Sequence, residues 1–327
     1  MNHISIVIPT FNSAKTLLDC LGGIRKLSNE YSVNAEVIII DAGSTDETIA
    51  ISQEYTQKII VSKGVSRGKA RNIGAENASA DTLVFLDSDC IITPEWVKHL
   101  LSLQVDTCST IIAGPAVLVE ANTTIGSAVK EMLSSRLFTL SSYTFSLDAD
   151  QKEVKDVPSS NILVSKKFFN QIGGFPDLNF NEDGVFCTRV LASNGKIIYF
   201  PSFKVLHKKT FDKVSKFAHY FFQYGRSYAK NLKHYPELIN RYGILAVICA
   251  FSLMIGTVLV SFLDTQVLTY FAIALLIYFI LTLSYSMLKF KNLNSGIIPL
   301  LFLILVLSYL GGFYYGFLES IHKHDVQ

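Results

Sequence analysis

Apolar residues lie in short, unbroken runs over the first two hundred positions and in much longer ones beyond position 242. In Thr82–Cys90, T-L-V-F-L-D-S-D-C, Leu83 to Leu86 run without alternation, so both faces of the segment need burial. That pattern predicts a strand inside a parallel sheet with helices on both sides. Ile4–Ile8, Glu36–Ile40 and Lys58–Val61 read the same way. Between these runs the spacing is helical. A helix is expected over about 14–27, capped by Asn12 or Ser13. A second follows A-G-S-T-D-E, with Ser44 or Thr45 as cap and Asp46 and Glu47 in its first turn. A third covers about 69–78. Strand and helix thus alternate four times over short connections, which predicts an α/β domain with a doubly wound, mostly parallel sheet.

Past residue 109 the pattern loosens. Thr110–Val119 predicts a strand interrupted at Gly114-Pro115, and 125–140 a helix. Ser141–Asp156 is polar and reads as a mobile loop over a site. Asn161–Val164 predicts another strand. Gly173-Gly174 ends one helix and Glu182-Asp183 opens the next, over about 184–193. Ile197–Phe200 and Phe203–Leu206 predict short strands on either side of Pro201, with His207 closing the second.

The next stretch is basic and aromatic, with Phe211, Val214, Phe217 and Phe221 at helical spacing among lysines. It reads as an amphipathic helix on an anionic membrane face, or as a helix packed on protein. Three apolar stretches follow, at 242–263, 267–288 and 296–318, each near the ~20 residues that span a bilayer. The expected division is 1–209, an α/β domain; 210–241, a juxtamembrane segment; and 242–327, membrane helices. Lys and Arg flank the first stretch and the second loop, at Lys230, Lys233, Arg241, Lys289 and Lys291, whereas Asp264-Thr265-Gln266 has none. The positive-inside rule then places the α/β domain at the cytoplasmic face and the C-terminal end outside, with Lys323 against the trend.

Composition supports this division. Half of the 327 residues are hydrophobic and the mean hydropathy is +0.34, too apolar for an ordinary soluble enzyme. A net charge of +2 leaves no nucleic-acid footprint. The five cysteines form no C-x-x-C pair, so neither a disulfide framework nor a zinc site is indicated. No basic, apolar leader precedes the first strand.

Candidate chemistry gathers at the carboxyl ends of the strands, where open α/β sheets bind ligands. Thr10, Asp41, Lys63 and Asp87 each lie just past such an end. Asp87 and Asp89 repel unless a cation such as Mg²⁺ or Mn²⁺, itself clamped to a diphosphate, lies between them. A solvated Asp-rich turn is the alternative. In K-G-V-S-R-G-K-A-R-N-I-G (63–74), helix-start N–H groups with Arg67, Lys69 or Arg71 could hold phosphate. A solvated basic helix start would look the same.

Taken together, I-V-I-P-T-F-N, I-I-I-D-A-G-S-T-D, G-K-A-R-N-I-G, F-L-D-S-D, G-G-F-P-D and N-E-D, in that order, resemble the family-2 glycosyltransferases of GT-A fold over about residues 3–210. The resemblance implies a nucleotide-diphosphate sugar as donor. Asp41 would contact the nucleobase, with Pro9, Thr10 and Asn12 lining the nucleoside pocket and Arg71 near the base or diphosphate. Asp87, with Ser88, would approach the ribose and the metal. Asp89 would be the principal metal ligand, and His207 is placed to complete the shell. Asp183, in the pair Glu182-Asp183, would be the catalytic base. Ala42 stands where the family often has a second Asp. The Q-x-x-R-W motif of processive synthases is absent, F-x-x-Y-G-R-S (221–227) taking its place, which favours single-sugar transfer. One base and no second nucleophile imply inversion. The expectation is an inverting, metal-dependent, membrane-anchored enzyme acting on a polyprenyl- or lipid-linked acceptor, with Arg226 near the lipid phosphate. A polyprenyl-phosphate sugar synthase and a catalytically silent sugar-binding scaffold are the alternatives.

Overall fold

The computed structural model describes residues 3–103, 108–119, 121–135, 138, 150–232, 234–235, 256 and 265–322. The chain forms two units. The first comprises Met1–Val119 and Ser141–Lys209; the second comprises Glu120–Leu140 and Thr210–Gln327.

In the first unit the strands are β1 (His3–Thr10), β2 (Asn34–Asp41), β3 (Ile59–Val61), β4 (Thr82–Leu86), β5 (Cys90–Ile92), β6 (Thr110–Ala113), β7 (Ala116–Leu118), β8 (Lys152–Glu153), β9 (Asn161–Ser165), β10 (Lys196–Tyr199) and β11 (Val205–His207). Its helices are α1 (Ala14–Tyr31), α2 (Thr48–Gln53), α3 (Arg67–Glu76), α4 (Pro94–Ser102), α6 (Lys166–Gln171) and α7 (Glu182–Ala192). The second unit holds α5 (Thr124–Ser134), α8 (Val214–Asn231), α9 (Thr265–Phe290), a 3₁₀ turn (Leu293–Ile297) and α10 (Ile298–His322).

Eight strands form one sheet in the order β3-β2-β1-β4-β9-β6-β10-β8, and β5-β11-β7 form a second. The predicted parallel block is present as β3, β2, β1 and β4. The sheet is mostly parallel, as expected, and becomes mixed beyond β4, where β9 runs antiparallel to both β4 and β6. An unbroken apolar run demands burial on both faces, which either strand direction satisfies. Burial of β4 matches the expectation: Leu83 to Leu86 are fully enclosed. Val84 and Leu86 pack with α1 and Trp96 on one face, and Leu83 and Phe85 pack with α3 and the Phe168–Phe186 aromatics on the other. At Trp96 the indole N–H donates to Asn161 Oδ1 at 2.9 Å, and the Asn161 amide donates to the Phe203 carbonyl at 2.6 Å, so both side chains are satisfied within that core.

Several local expectations change. Ser13 makes no capping bond to α1; Asp46 reaches across instead, accepting from the Ala14 N–H at 3.1 Å while also accepting from the Thr48 N–H. One carboxylate thereby closes two helix starts. Of the predicted 141–156 loop, residues 150–156 are described, and Lys152–Glu153 pairs antiparallel with β10. The predicted helix 125–140 is seen as α5, which groups with the second unit.

Two helices, spanning Thr269–Phe290 and Asn294–Ile321, are long and apolar enough to cross a membrane. They correspond to the second and third predicted stretches; the first, 242–263, lies outside the described residues apart from Gly256. The basic, aromatic segment forms α8, which packs on α10. The glycines make that approach possible: a Cβ on Gly225 would sit 1.9 Å from the Tyr309 carbonyl oxygen, and one on Gly312 1.9 Å from that of Phe222.

Candidate active site

Register places the first cluster. The last pair of the β1–β2 ladder sets Thr10 opposite Asp41, and Thr10 Oγ1 donates to Asp41 Oδ2 at 2.9 Å. Ser44 Oγ donates to the same oxygen at 2.6 Å, while the N–H groups of Gly43 and Ser44 donate to Oδ1 at 2.9 and 2.7 Å. Asp41 is thus 1% exposed and accepts four hydrogen bonds from the rim itself. Gly43, at φ 99°, supplies the turn that aims its N–H inward. Asn12, in the left-handed region at φ 49°, donates its N–H to Ser44 Oγ and accepts from the Thr45 N–H at 2.9 Å. Ser88 Oγ donates to Ser13 Oγ at 2.9 Å, joining this rim to the D-S-D turn. Pro9 is half-buried beside them, and Phe11, to which the sequence assigned no separate role, projects 61% exposed.

The second cluster is built around Arg71. Its side chain is 1% exposed and forks between two carboxylates, reaching Asp87 Oδ1 at 2.6 Å and Glu182 Oε1 at 3.0 Å. Ser159 Oγ donates to the same Glu182 oxygen at 3.1 Å, and the guanidinium lies over the Phe175 ring, 5.4 Å from its centroid. One cation therefore ties the D-S-D turn to the start of α7. Glu182, itself 5% exposed, is committed to this pairing. Asp183 beside it is half-buried, with Oδ1 accepting from the Gly184 N–H at 2.8 Å.

The neighbours of Arg71 show what the Gly-rich basic segment does. A Cβ on Gly68 would fall 1.9 Å from the Pro176 carbonyl oxygen, and one on Gly74 2.2 Å from Val7 Cγ1. Asn72 clamps the Phe175 main chain, donating to its carbonyl at 2.8 Å and accepting from its N–H at 2.9 Å. Ser66 caps α3 through the Lys69 N–H, and the Gly68 N–H is taken by the Leu178 carbonyl at 3.0 Å. The first turn of α3 is thus engaged by protein, and Arg71 is enclosed by carboxylates. Of the three cations considered for phosphate, Arg67 and Lys69 are the exposed ones. The glycines serve close packing against G-G-F-P-D, a contact between distant segments that spacing does not encode.

The third cluster lies in the small sheet, where the β5–β11 register pairs Cys90 with His207. His207 Nε2 stands 3.0 Å from Asp89 Oδ1. Burial alone would push the Asp89 carboxyl up, but the His207 charge and hydrogen bond, with Lys209 and Arg67 further off, hold it down at about 2. Donor atoms of Asp89, Cys90 and His207 all lie within 4.8 Å of one another. Burial, and then the charges of Asp89 and Asp87, push the Cys90 thiol well above its ordinary value. It stays protonated and is a poor ligand for a hard cation. Asp89 and His207 remain as an oxygen–nitrogen pair that fits Mg²⁺ or Mn²⁺ with further oxygens from a ligand. Arg67 and Lys209, whose charges reach Asp89, add positive potential at this point; Lys209 had drawn no attention in the sequence, since lysines are common after a strand.

Arg226 lies in the second unit. Its guanidinium is held by Glu319 at 2.7 and 2.5 Å, with Lys230 3.6 Å from the same carboxylate.

Both the sequence and the fold have known relatives. The O-antigen chain rhamnosyltransferase RfbN of Salmonella typhimurium is 25% identical over 227 residues, covering 67% of this chain and 70% of that protein. The O-antigen chain rhamnosyltransferase WbaN of Salmonella anatum is 25% identical over 234 residues, covering 68% and 71%. Among solved structures, the mannosyltransferase PcManGT of Pyrobaculum calidifontis, in complex with GDP-Man and Mn²⁺, superposes with a TM-score of 0.60 at 12% identity, over 94% of this chain and 86% of that one. At that identity the likeness speaks for the GT-A fold. The family model for glycosyl transferase family 2 matches residues 5–173, more than half of the sequence, and the chain belongs to that family.

Proposed function

We propose that this glycosyltransferase moves a single sugar from a nucleotide-diphosphate donor to a lipid-linked saccharide or polyprenyl phosphate at a membrane, with inversion at the anomeric carbon. The observation that carries the reading is the fork of Arg71 between Asp87 and Glu182, which ties the cation-side turn to the start of α7. In this reading Pro9, Thr10 and Asn12 line the nucleoside pocket. With its carboxylate already saturated, Asp41 acts by holding Thr10, Gly43 and Ser44 in place, leaving backbone groups and Phe11 to meet the base. Asp87 and Ser88 face the ribose side. Asp89 and His207 would hold Mg²⁺ or Mn²⁺, which when bound stabilises charge on the departing diphosphate.

Asp183 takes the proton from the acceptor hydroxyl as that oxygen attacks. Glu182 is a positioning residue: paired with Arg71, it fixes the first turn of α7, where the helix N-terminus favours carboxylates. The rhamnosyltransferase relatives, named for their action on an O-antigen chain, support a saccharide acceptor. The two apolar helices support an enzyme held at the bilayer where such an acceptor resides, with the catalytic unit at the cytoplasmic face. Arg226, now paired with Glu319, would meet a lipid phosphate by exchanging Glu319 for it.

The test is Asp183→Asn. Transfer from a panel of nucleotide-sugars with Mn²⁺ should fall at least a thousandfold, while nucleotide-sugar affinity by calorimetry stays within about threefold. Normal turnover by the variant would remove Asp183 from this role. Absence of both transfer and donor hydrolysis in the unaltered protein would favour the silent scaffold.

A further inference from the structure

The two apolar helices differ in how they meet the rest of the second unit. Along α9 exposed side chains lie nearly all around, including Tyr270, Ile273, Leu276, Ile277, Ile280 and Leu281. On α10 they are one-sided. Ile298, Leu301, Gly312 and Gly316 are buried, whereas Leu300, Leu307, Gly311 and Leu318 are exposed and recur on the opposite face. Protein thus covers one side of α10 near its start and again over its second half.

Polar side chains hold both ends of α10. At its start, Glu131 of α5 accepts from Asn292 Nδ2 and Ser295 Oγ, each at 3.0 Å, and Phe138 packs on Phe302 with centroids 5.2 Å apart. Near its end, Arg226 of α8 makes its two bonds to Glu319. Ile298 and Glu319 are about 30 Å apart along the helix, the thickness of a bilayer's hydrocarbon core. Yet α5 and α8 begin together, Thr123 Oγ1 donating to Asp212 Oδ1 at 3.4 Å. From there Glu131 lies about 10 Å along α5 and Arg226 about 18 Å along α8. Those lengths bridge the two ends of α10 only if α5 and α8 run out in nearly opposite directions alongside it. An upright α10 would then draw Lys130 or Lys216 and His219 into hydrocarbon, where charged groups are rare and costly.

We infer that α10 lies flat in the membrane interface, its inner face on α5 and α8 and its Leu300–Leu307–Leu318 stripe in the acyl chains, so that both its ends are on one side of the bilayer. The inference rests on the membrane reading above and replaces the sequence expectation that the third apolar stretch crosses.

The test uses the full chain with Cys108 and Cys249 changed to Ser. Single reporters are introduced as Gly296→Cys, where an added Cβ meets nothing within 4 Å, Ile321→Cys, and Lys98→Cys on the exposed side of α4. Intact spheroplasts and inverted vesicles of a bacterial host are treated with a membrane-impermeant maleimide. Positions 296 and 321 should both label in the preparation that labels position 98, at least fivefold over the other. Labelling of 296 and 321 from opposite sides overturns the inference while leaving membrane insertion intact. Release of the unaltered protein by alkaline carbonate overturns the membrane reading and this inference with it. A nitroxide on Leu307→Cys gives an independent reading: a flat helix places it about 5–10 Å below the headgroups, whereas mid-bilayer depth refutes it.

Discussion

Replacing Arg71 with Met keeps the aliphatic stem and deletes the charge that two carboxylates share. Glu182 is left 5% exposed with Ser159 as its remaining side-chain partner among the described residues, whereas Asp87, its side chain 31% exposed, can turn to water. Removing one partner of a buried pair costs about 3–5 kcal/mol, most of it the penalty of the charge left behind. Loss of the Phe175 contact adds up to about 1 kcal/mol. At roughly 2–4 °C per kcal/mol for a unit of this size, the melting temperature should fall by roughly 6–24 °C. Trp96, the chain's single tryptophan and fully buried in the first unit, reports the transition by fluorescence in detergent. Adding Glu182→Gln removes the orphaned charge and should recover at least half of the loss, a coupling that a double-mutant cycle measures directly. The reasoning is refuted if Arg71→Met melts within about 2 °C of the parent protein, or if the second substitution lowers stability further.

Three further outcomes follow from separate parts of the structure. Gly68→Ala puts a methyl 1.9 Å from the Pro176 carbonyl oxygen and should cost about 1–3 kcal/mol by forcing α3 off the G-G-F-P-D loop, read as lost amide protection in both segments; unchanged exchange would deny that contact. The carboxyl of Glu36 is opposed by burial but held down at about 2, from 4.5, by bonds from Lys58, Ser5 and Ser79. Because the folded value is depressed, its stabilisation is complete above pH 4.5 and is lost as pH falls towards 2; Lys58 is 46% exposed, so about 1 kcal/mol is at stake. Glu36→Gln should flatten the dependence of the urea midpoint on pH over that window, and equal slopes would rule the pairing out. His207→Ala should weaken Mn²⁺ binding in the presence of a nucleoside diphosphate by about 10–100-fold, measured calorimetrically; unaltered affinity would exclude His207 as a ligand.

Much of the fold could be read from local chemistry, and the limits of that reading are physical. Burial of Leu83–Leu86 followed from an apolar run that no half-exposed strand would carry. The placement of Thr10, Asp41 and Asp87 at strand ends followed from where those runs stop. Strand direction was hidden at β9, since an apolar face packs equally well either way. The fork of Arg71 was hidden as well: Asp87 and Glu182 are ninety-five positions apart in the chain, and only folding shows that one guanidinium serves both.

By itself the sequence determined the α/β alternation, the acidic turn after β4 and the apolar length of the last helices, because periodicity and transfer free energy act residue by residue. Tertiary structure decided what those features are for. It turned the glycines of 63–74 from a phosphate cradle into a close-packed brace, paired Asp89 with His207 through a cross-strand register, and clamped both ends of α10 with side chains from α5 and α8. Each depends on the distance between segments remote in sequence, and that distance is set by packing the whole chain at once.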